Sequence, residues 1–187
     1  MVRRRSNERK PMKAILMAVV LGAASLHAQV DPLEGLWQGY DGEWLHVSRQ
    51  LLALAEAMPA EKFAWRPAPG VRSTSEVFMH IVIANLGLLD VAGVKAPADL
   101  KMSLEKSVTA KGDVIQWLKR SQDAVKTNHA KATPADLQKK VKVNNRDATV
   151  DGMYLRIIVH ANEHMGQLIA YARMNGVTPP WSDTPAK

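Results

Sequence analysis

Six histidines and no cysteine set the chemistry available to this chain of 187 residues. Without thiols there is no disulfide scaffold, Cys-ligated zinc, iron–sulfur cluster or thiol nucleophile, so any metal must be held by His and carboxylate. The sharpest pattern is His160-Ala161-Asn162-Glu163-His164. Two imidazoles at i and i+4 on a helix stand one above the other, the spacing that lets both bind one metal ion. Such a pair also arises by chance in a chain with six His, so its position matters. Met153, Ile157, Ala161, His164, Leu168 and Tyr171 or Ala172 form one apolar stripe, and His160 falls inside the same arc. His80 lies on a second stripe with Val77, Ile81 and Ala84. An imidazole on a core-facing stripe must find a hydrogen-bond partner or a metal. Either His80, His160 and His164 share one divalent ion, leaving a fourth position for water or ligand, or each is a core histidine with its own hydrogen bond.

The neighbours of these residues take secondary parts. Glu163 could sit at the rim of such a site as a proton acceptor, or face solvent. Gln167, three residues past His164, could hydrogen-bond a ligand or tie two helices together, and Gly166 is expected to permit close helix approach. His46 sits two residues past Trp44 and so points away from its helix's stripe toward solvent. His129 falls near the end of a helix, where its charge suits the negative end of the dipole. The five residues 160–164 also fit H-x-x-E-H, a zinc-protease signature. That class takes a carboxylate ligand well downstream, whereas the one acid after His164 is Asp183, beyond Pro179-Pro180, and proteolysis is set aside.

Four helical segments must position these groups. Leu33, Trp37, Tyr40, Trp44, Val47, Leu51, Ala55 and Met58 recur at spacings of three and four, predicting a first helix over 33–58 that Pro59 ends. Trp37, Tyr40 and Trp44 read as core residues or as the wall of a pocket. Ser73-Thr74-Ser75-Glu76 is a capping-box pattern that opens the second helix. Phe78, Met79, Val82 and Ile83 make the far side of that helix apolar too, so it should be covered on several faces. A third amphipathic helix is expected from about Ser103 to about Asn128, with Leu104, Val108, Val114, Ile115, Leu118 and Val125 inward. The stretch 131–148 contains Pro134 and Asn144-Asn145, and a short strand pair is expected around 141–143 and 148–150. The last helix starts near Thr149 or Val150 and ends at Asn175-Gly176. Met153, Met165 and Met174 read as helix packing residues, and Trp65 and Trp181, both beside prolines, as pins for a loop and the tail. The pattern is all-α, a four-helix bundle with a long connection between the third and fourth helices, and it does not separate up-down from up-up-down-down order.

The chain is 47% hydrophobic, 23% charged and 5% aromatic, the profile of one globular domain. Its formal charge is +7. Arg3, Arg4, Arg5, Arg9, Lys10 and Lys13 supply six of the cations before residue 29, against Glu8 alone. The apolar run 14–24 follows them, then Leu26-His27-Ala28-Gln29. A basic stretch, a short apolar stretch and a small residue predict a secretory signal peptide over 1–28, with Met1 or Met12 as its start, and a mature domain over 29–187. The run is shorter than the roughly 20 residues a bilayer span needs. Export to the periplasm or the exterior follows. The mature domain then carries a net +2, and its densest basic patch, Lys139-Lys140, Lys142 and Arg146, lacks interleaved aromatics, which excludes a nucleic-acid partner.

Phe63-Ala64-Trp65-Arg66-Pro67, Gly70-Val71-Arg72-Ser73, the run from Glu76 to His80, and His160 to Arg173 with Gly176 and Pro179-Pro180-Trp181 together resemble the DinB-like superfamily of metal-binding four-helix bundles. The resemblance covers essentially the whole mature chain. It implies the up-up-down-down bundle and a divalent metal site at His80, His160 and His164, with zinc or nickel the first candidates. It also implies a homodimer as an option, and a metal-activated water or thiol as nucleophile, since some relatives are thiol-dependent transferases or isomerases. The expected function is that of an exported metal-dependent enzyme, hydrolase-like or transferring a small group, acting on a small molecule, with Glu163 as its catalytic carboxylate. The alternative is a non-catalytic bundle in which the metal ties two helices together.

Overall fold

The structure is a computed structural model in which residues 39–182 are described. Leu33, Trp37 and the expected signal peptide lie outside those residues.

Six helices and one hairpin make up the described chain: α1 (Gly39–Ala57), α2 (Thr74–Val91), α3 (Leu104–Ser107), α4 (Lys111–His129), α5 (Pro134–Leu137), β1 (Lys140–Val143), β2 (Arg146–Thr149) and α6 (Val150–Met174). Local signals set most boundaries. Ser73 Oγ accepts the Glu76 amide at 3.3 Å and the Glu76 carboxylate accepts the Ser73 amide at 2.7 Å, the reciprocal cap expected at the start of α2. Thr149 caps α6 through the Gly152 amide at 3.1 Å. Gly176, at φ +74°, turns the chain out of α6 while the Val177 amide returns to the Ala172 carbonyl at 2.9 Å. The strands pair antiparallel, Val143 opposite Arg146, around Asn144 (φ 48°) and Asn145 (φ 62°). Two consecutive left-handed residues make the tight turn whose twist matches that of a hairpin. At the end of α1, where no glycine is available, the Lys111 ammonium donates to the carbonyls of Glu56 and Met58, both at 2.7 Å.

The expected third helix is interrupted. Val108 and Ala110 take extended backbone, which separates α3 from α4. Val108 and Thr109 are β-branched and resist helix. The interruption turns α3 so that Glu105 faces α2 instead of continuing the stripe of α4.

Each of α1 and α2 packs on both α4 and α6. Directions follow from paired ends. Asp41 on α1 meets His129 on α4, and Lys111 meets the other end of α1, so these two run antiparallel. His80 meets His160, and Arg72 meets Tyr171, so α2 and α6 are antiparallel as well. Tyr40 and Tyr154 bring the starts of α1 and α6 together. The bundle is therefore all-α with four long helices, as expected, but its order is up-down-down-up. The segment 92–110 runs back along the bundle so that α2 and α4 lie parallel, and the longer link between α4 and α6 joins neighbouring ends. Apolar periodicity locates helix faces and carries no sign for direction, which is why up-up-down-down could not be separated from this order.

The core is apolar and crossed by few polar bridges. Trp44, Val47, Leu51, Leu54, Phe63, Val77, Phe78, Ile81, Leu118, Ile157 and Leu168 are fully buried. The Trp44 indole donates to the Gln122 carbonyl at 3.2 Å and the Gln122 amide to the Ser48 carbonyl at 3.0 Å, locking α1 to α4. As expected, α2 is covered on several faces. It is the one described helix long and apolar enough to cross a membrane, but most of it is buried inside the bundle. Two packing expectations are corrected. Met174, in the last turn of α6, is 64% exposed. Gly166 is exposed too, and a Cβ there would meet nothing within 4 Å, so no described helix approaches it.

Candidate metal centre

His80 on α2 and His160 and His164 on α6 come together across the antiparallel pair. One ring nitrogen from each lies within 4.8 Å of the others, and the ring centroids are 4.6 to 5.0 Å apart. His160 is buried, whereas His80 and His164 are partly exposed. The cluster therefore closes against the core and opens on one side.

Hydrogen bonds set the tautomers. His80 Nδ1 donates to Glu105 Oε2 at 2.9 Å, and the other oxygen of Glu105 accepts from Arg72 Nε at 2.7 Å. His164 Nδ1 donates to Gln167 Oε1 at 2.9 Å. The Gln167 amide in turn donates to the Tyr171 hydroxyl at 2.8 Å, and that hydroxyl to the Arg72 carbonyl at 3.1 Å. With both Nδ1 atoms engaged, His80 and His164 carry their lone pairs on Nε2. The Nε2 atoms of His80 and His160 stand 3.2 Å apart. Two imidazole nitrogens bound to one tetrahedral zinc at about 2.05 Å stand about 3.3 Å apart. Carboxylate and amide groups holding the outer nitrogens of metal-ligating histidines are the usual supports of such sites.

Charge agrees with the geometry. Burial, with the neighbouring His164 and His80 rings, pushes the His160 pKa down to about 4. Burial also lowers that of His164, and the Arg72 charge adds to the effect against the Gln167 hydrogen bond. At neutral pH these are uncharged rings with lone pairs to give. Burial alone would raise the Glu105 carboxyl, but hydrogen bonds from Arg72 and His80 outweigh it and hold it below the ordinary carboxylate range. His160 Nδ1 is buried without a partner among the described residues. Within the protein His160 can pair through Nε2 with His80 Nε2, which leaves its Nδ1 unmatched. Three converging imidazoles, two of them held at their outer nitrogens, fit a divalent ion of intermediate softness.

The other singled-out residues lie elsewhere. Glu163 is exposed, its two oxygens each 3.0 Å from a nitrogen of Arg156, and that pairing holds its carboxyl below the ordinary range. His46, expected toward solvent, is partly buried on α1 and outside the cluster. His129 ends α4 as expected and meets Asp41 Oδ1 at 2.7 Å, stacked on Tyr40 at 3.9 Å. Trp44 is core, and Trp65 packs edge-on against Tyr171 at 5.2 Å. Arg72 and Glu105 join the cluster without having been singled out. A helix-breaking pair of β-branched residues just past Glu105 was the one signal available.

Fold and site define a four-helix bundle with three histidines gathered between two antiparallel helices. The chain belongs to the DinB superfamily, whose family model matches residues 43–168. The fold is similar to that of a DinB-like protein from Bacillus cereus ATCC 10987, with a TM-score of 0.68 and 23% identity over 77% of this chain and 95% of that one. It is also similar to a DinB-like protein from Bacillus subtilis, with a TM-score of 0.61 and 18% identity over 74% of this chain and 92% of that one. At these identities the likeness is one of fold alone. No curated protein matches the chain.

Proposed function

We propose that the chain is an exported metal-dependent enzyme acting on a small molecule, with one divalent ion, zinc or nickel first, held by His80, His160 and His164. The observation that carries this reading is the convergence of three ring nitrogens whose outer partners, Glu105 and Gln167, already fix two of the rings. A divalent ion there supplies a Lewis acid that lowers the pKa of a water or thiol beside it. The chain's own residues hold and orient. Glu105 aims His80, Gln167 aims His164, and the core behind His160 excludes water on one side. The partial exposure of His80 and His164 leaves the other side approachable, which favours an enzyme over a metal that only ties α2 to α6. Glu163 is the candidate proton acceptor, and taking a proton requires it to leave Arg156. Export, proposed from residues 1–28, favours water over thiol as the nucleophile, because an oxidising exterior lacks a reduced thiol pool.

Elemental analysis of the full chain, purified without a metal-binding tag, is expected to give about one divalent ion per chain. His80→Ala, His160→Ala and His164→Ala should each lose it, and His46→Ala should keep it. No ion after incubation with zinc and nickel, or equal loss in all four variants, would overturn the metal assignment. Metal retention without hydrolysis of any ester, amide or phosphoester substrate by the loaded chain would leave the non-catalytic bundle.

A further inference from the structure

A cavity of about 620 Å³ opens on the far side of the groups that hold His80 and His164. Its wall includes Glu105 and Gln167, the two groups that hold His80 and His164, together with Arg66, Arg72, Glu76 and Lys106. The charges there are unevenly matched. Glu76 is occupied by the Ser73 amide and by Arg66, whose second terminal nitrogen donates to the Val71 carbonyl at 2.7 Å. Glu105 is occupied by Arg72 Nε and His80. Both carboxylates are thus already supplied with donors. Arg72 spends only its Nε on Glu105, so its two terminal nitrogens, and the whole Lys106 ammonium, have no acceptor among the described residues.

We propose that Arg72 and Lys106 form an anion-binding subsite in this cavity, which takes a carboxylate or phosphate group of the substrate while its reacting part lies at the histidines. The inference rests on the proposed function for the second half of that statement and on the cavity alone for the first. A guanidinium whose inner nitrogen is pinned by Glu105 presents its outer edge as a fixed fork, the geometry that matches two oxygens of one oxyanion. Lys106, next in sequence to Glu105 and on the same short helix α3, adds a second positive charge to the same wall. The interruption that separates α3 from α4 thereby delivers both the carboxylate that orients His80 and the cation that would meet the ligand.

The test is a titration of the ¹⁵N-labelled full chain with succinate, inorganic phosphate and the uncharged succinamide, read from the Arg72 Nε–Hε resonance and run with and without bound zinc. Succinate or phosphate should shift that resonance with a Kd below about 10 mM at low salt, weaker as ionic strength rises, and succinamide should not. The tighter of the two anions names the class. Lys106→Gln, an exposed position remote from the core, should weaken binding about tenfold with metal content unchanged. Arg72→Lys removes the fork and the reporter with it, so its binding is read from the Gln167 side-chain amide resonances in both wild type and variant, and should also weaken about tenfold. Binding of neither anion, equal binding of succinamide, or unaltered binding in both variants would overturn the subsite. Absence of metal from the wild type would refute the proposed function and leave the anion result standing, since the Arg72 resonance is read in either state.

Discussion

Removing the Glu105 carboxylate should weaken metal binding without unfolding the bundle. Glu105 touches His80 Nδ1 at 2.9 Å and Arg72 Nε at 2.7 Å, and it sits on the four-residue helix α3, outside the apolar core. Its effect on a metal passes through His80, by fixing the ring and raising the basicity of Nε2, so it is a positioning residue. Loss of such an outer partner costs about 10- to 100-fold in metal affinity, or about 1.4 to 2.8 kcal/mol. Glu105→Ala should fall toward the upper figure. Glu105→Gln should fall nearer the lower, because an amide oxygen can still accept from His80. The measurement is a zinc titration of the full chain against a chromophoric chelator, with Glu163→Gln alongside. Glu163 faces Arg156 in solvent, and its variant should bind zinc within about threefold of wild type. Thermal melting in excess chelator separates positioning from structure. If Glu105 acts through His80, the variants melt like wild type when metal-free and lose only the increment that zinc adds. Unchanged affinity in Glu105→Ala, or an equal loss in Glu163→Gln, would refute the reasoning.

Three further outcomes test the fold. Leu51 is fully buried between α1 and its neighbours, so Leu51→Ala should cost about 2–5 kcal/mol in urea unfolding; a change below that range would mean the site collapses around the gap. Asn145 holds φ +62° in the hairpin turn, so Asn145→Ala should cost about 1 kcal/mol while Asn145→Gly is tolerated, read as amide exchange across β1 and β2. Glu76 is pushed up by burial but held below its ordinary 4.5 by the Ser73 amide and Arg66. A carboxylate with a depressed folded pKa stabilises fully above its unfolded value and loses that contribution as pH falls from about 4.5 through the folded value. The stability difference between wild type and Glu76→Gln should therefore be largest at pH 7 and shrink by pH 3, and a constant difference would contradict the sign.

Much of this architecture is legible in the residues because it is written locally. The Ser73 and Glu76 cap, the left-handed Asn144-Asn145 turn and the Gly176 stop each act within a few positions. His160 and His164 share a helix face by spacing alone. What escapes is whatever the tertiary path assembles. Glu105 lies 25 residues from His80 inside a segment whose apolar period runs on through Val108, so the pattern reads one helix where the chain makes two. Arg72 was visible only as part of a loop motif, and its bond to Glu105 exists because segment 92–110 doubles back.

The ring order of the bundle has a consequence for how the chain acquires its structure. Helices joined by the shortest path, α1 and α2, lie diagonally, and so do α4 and α6, so neither pair can bury its apolar face as a local hairpin. α2 is covered only when both α4 and α6 arrive, and α6 is the last long element to leave the ribosome. Until it arrives the sides of α1 and α2 that pack on it are uncovered, and truncation before Met174 leaves apolar surface open to solvent. Because α6 also carries His160 and His164, the step that closes the core is the same step that completes the histidine cluster, and a partly made chain holds neither.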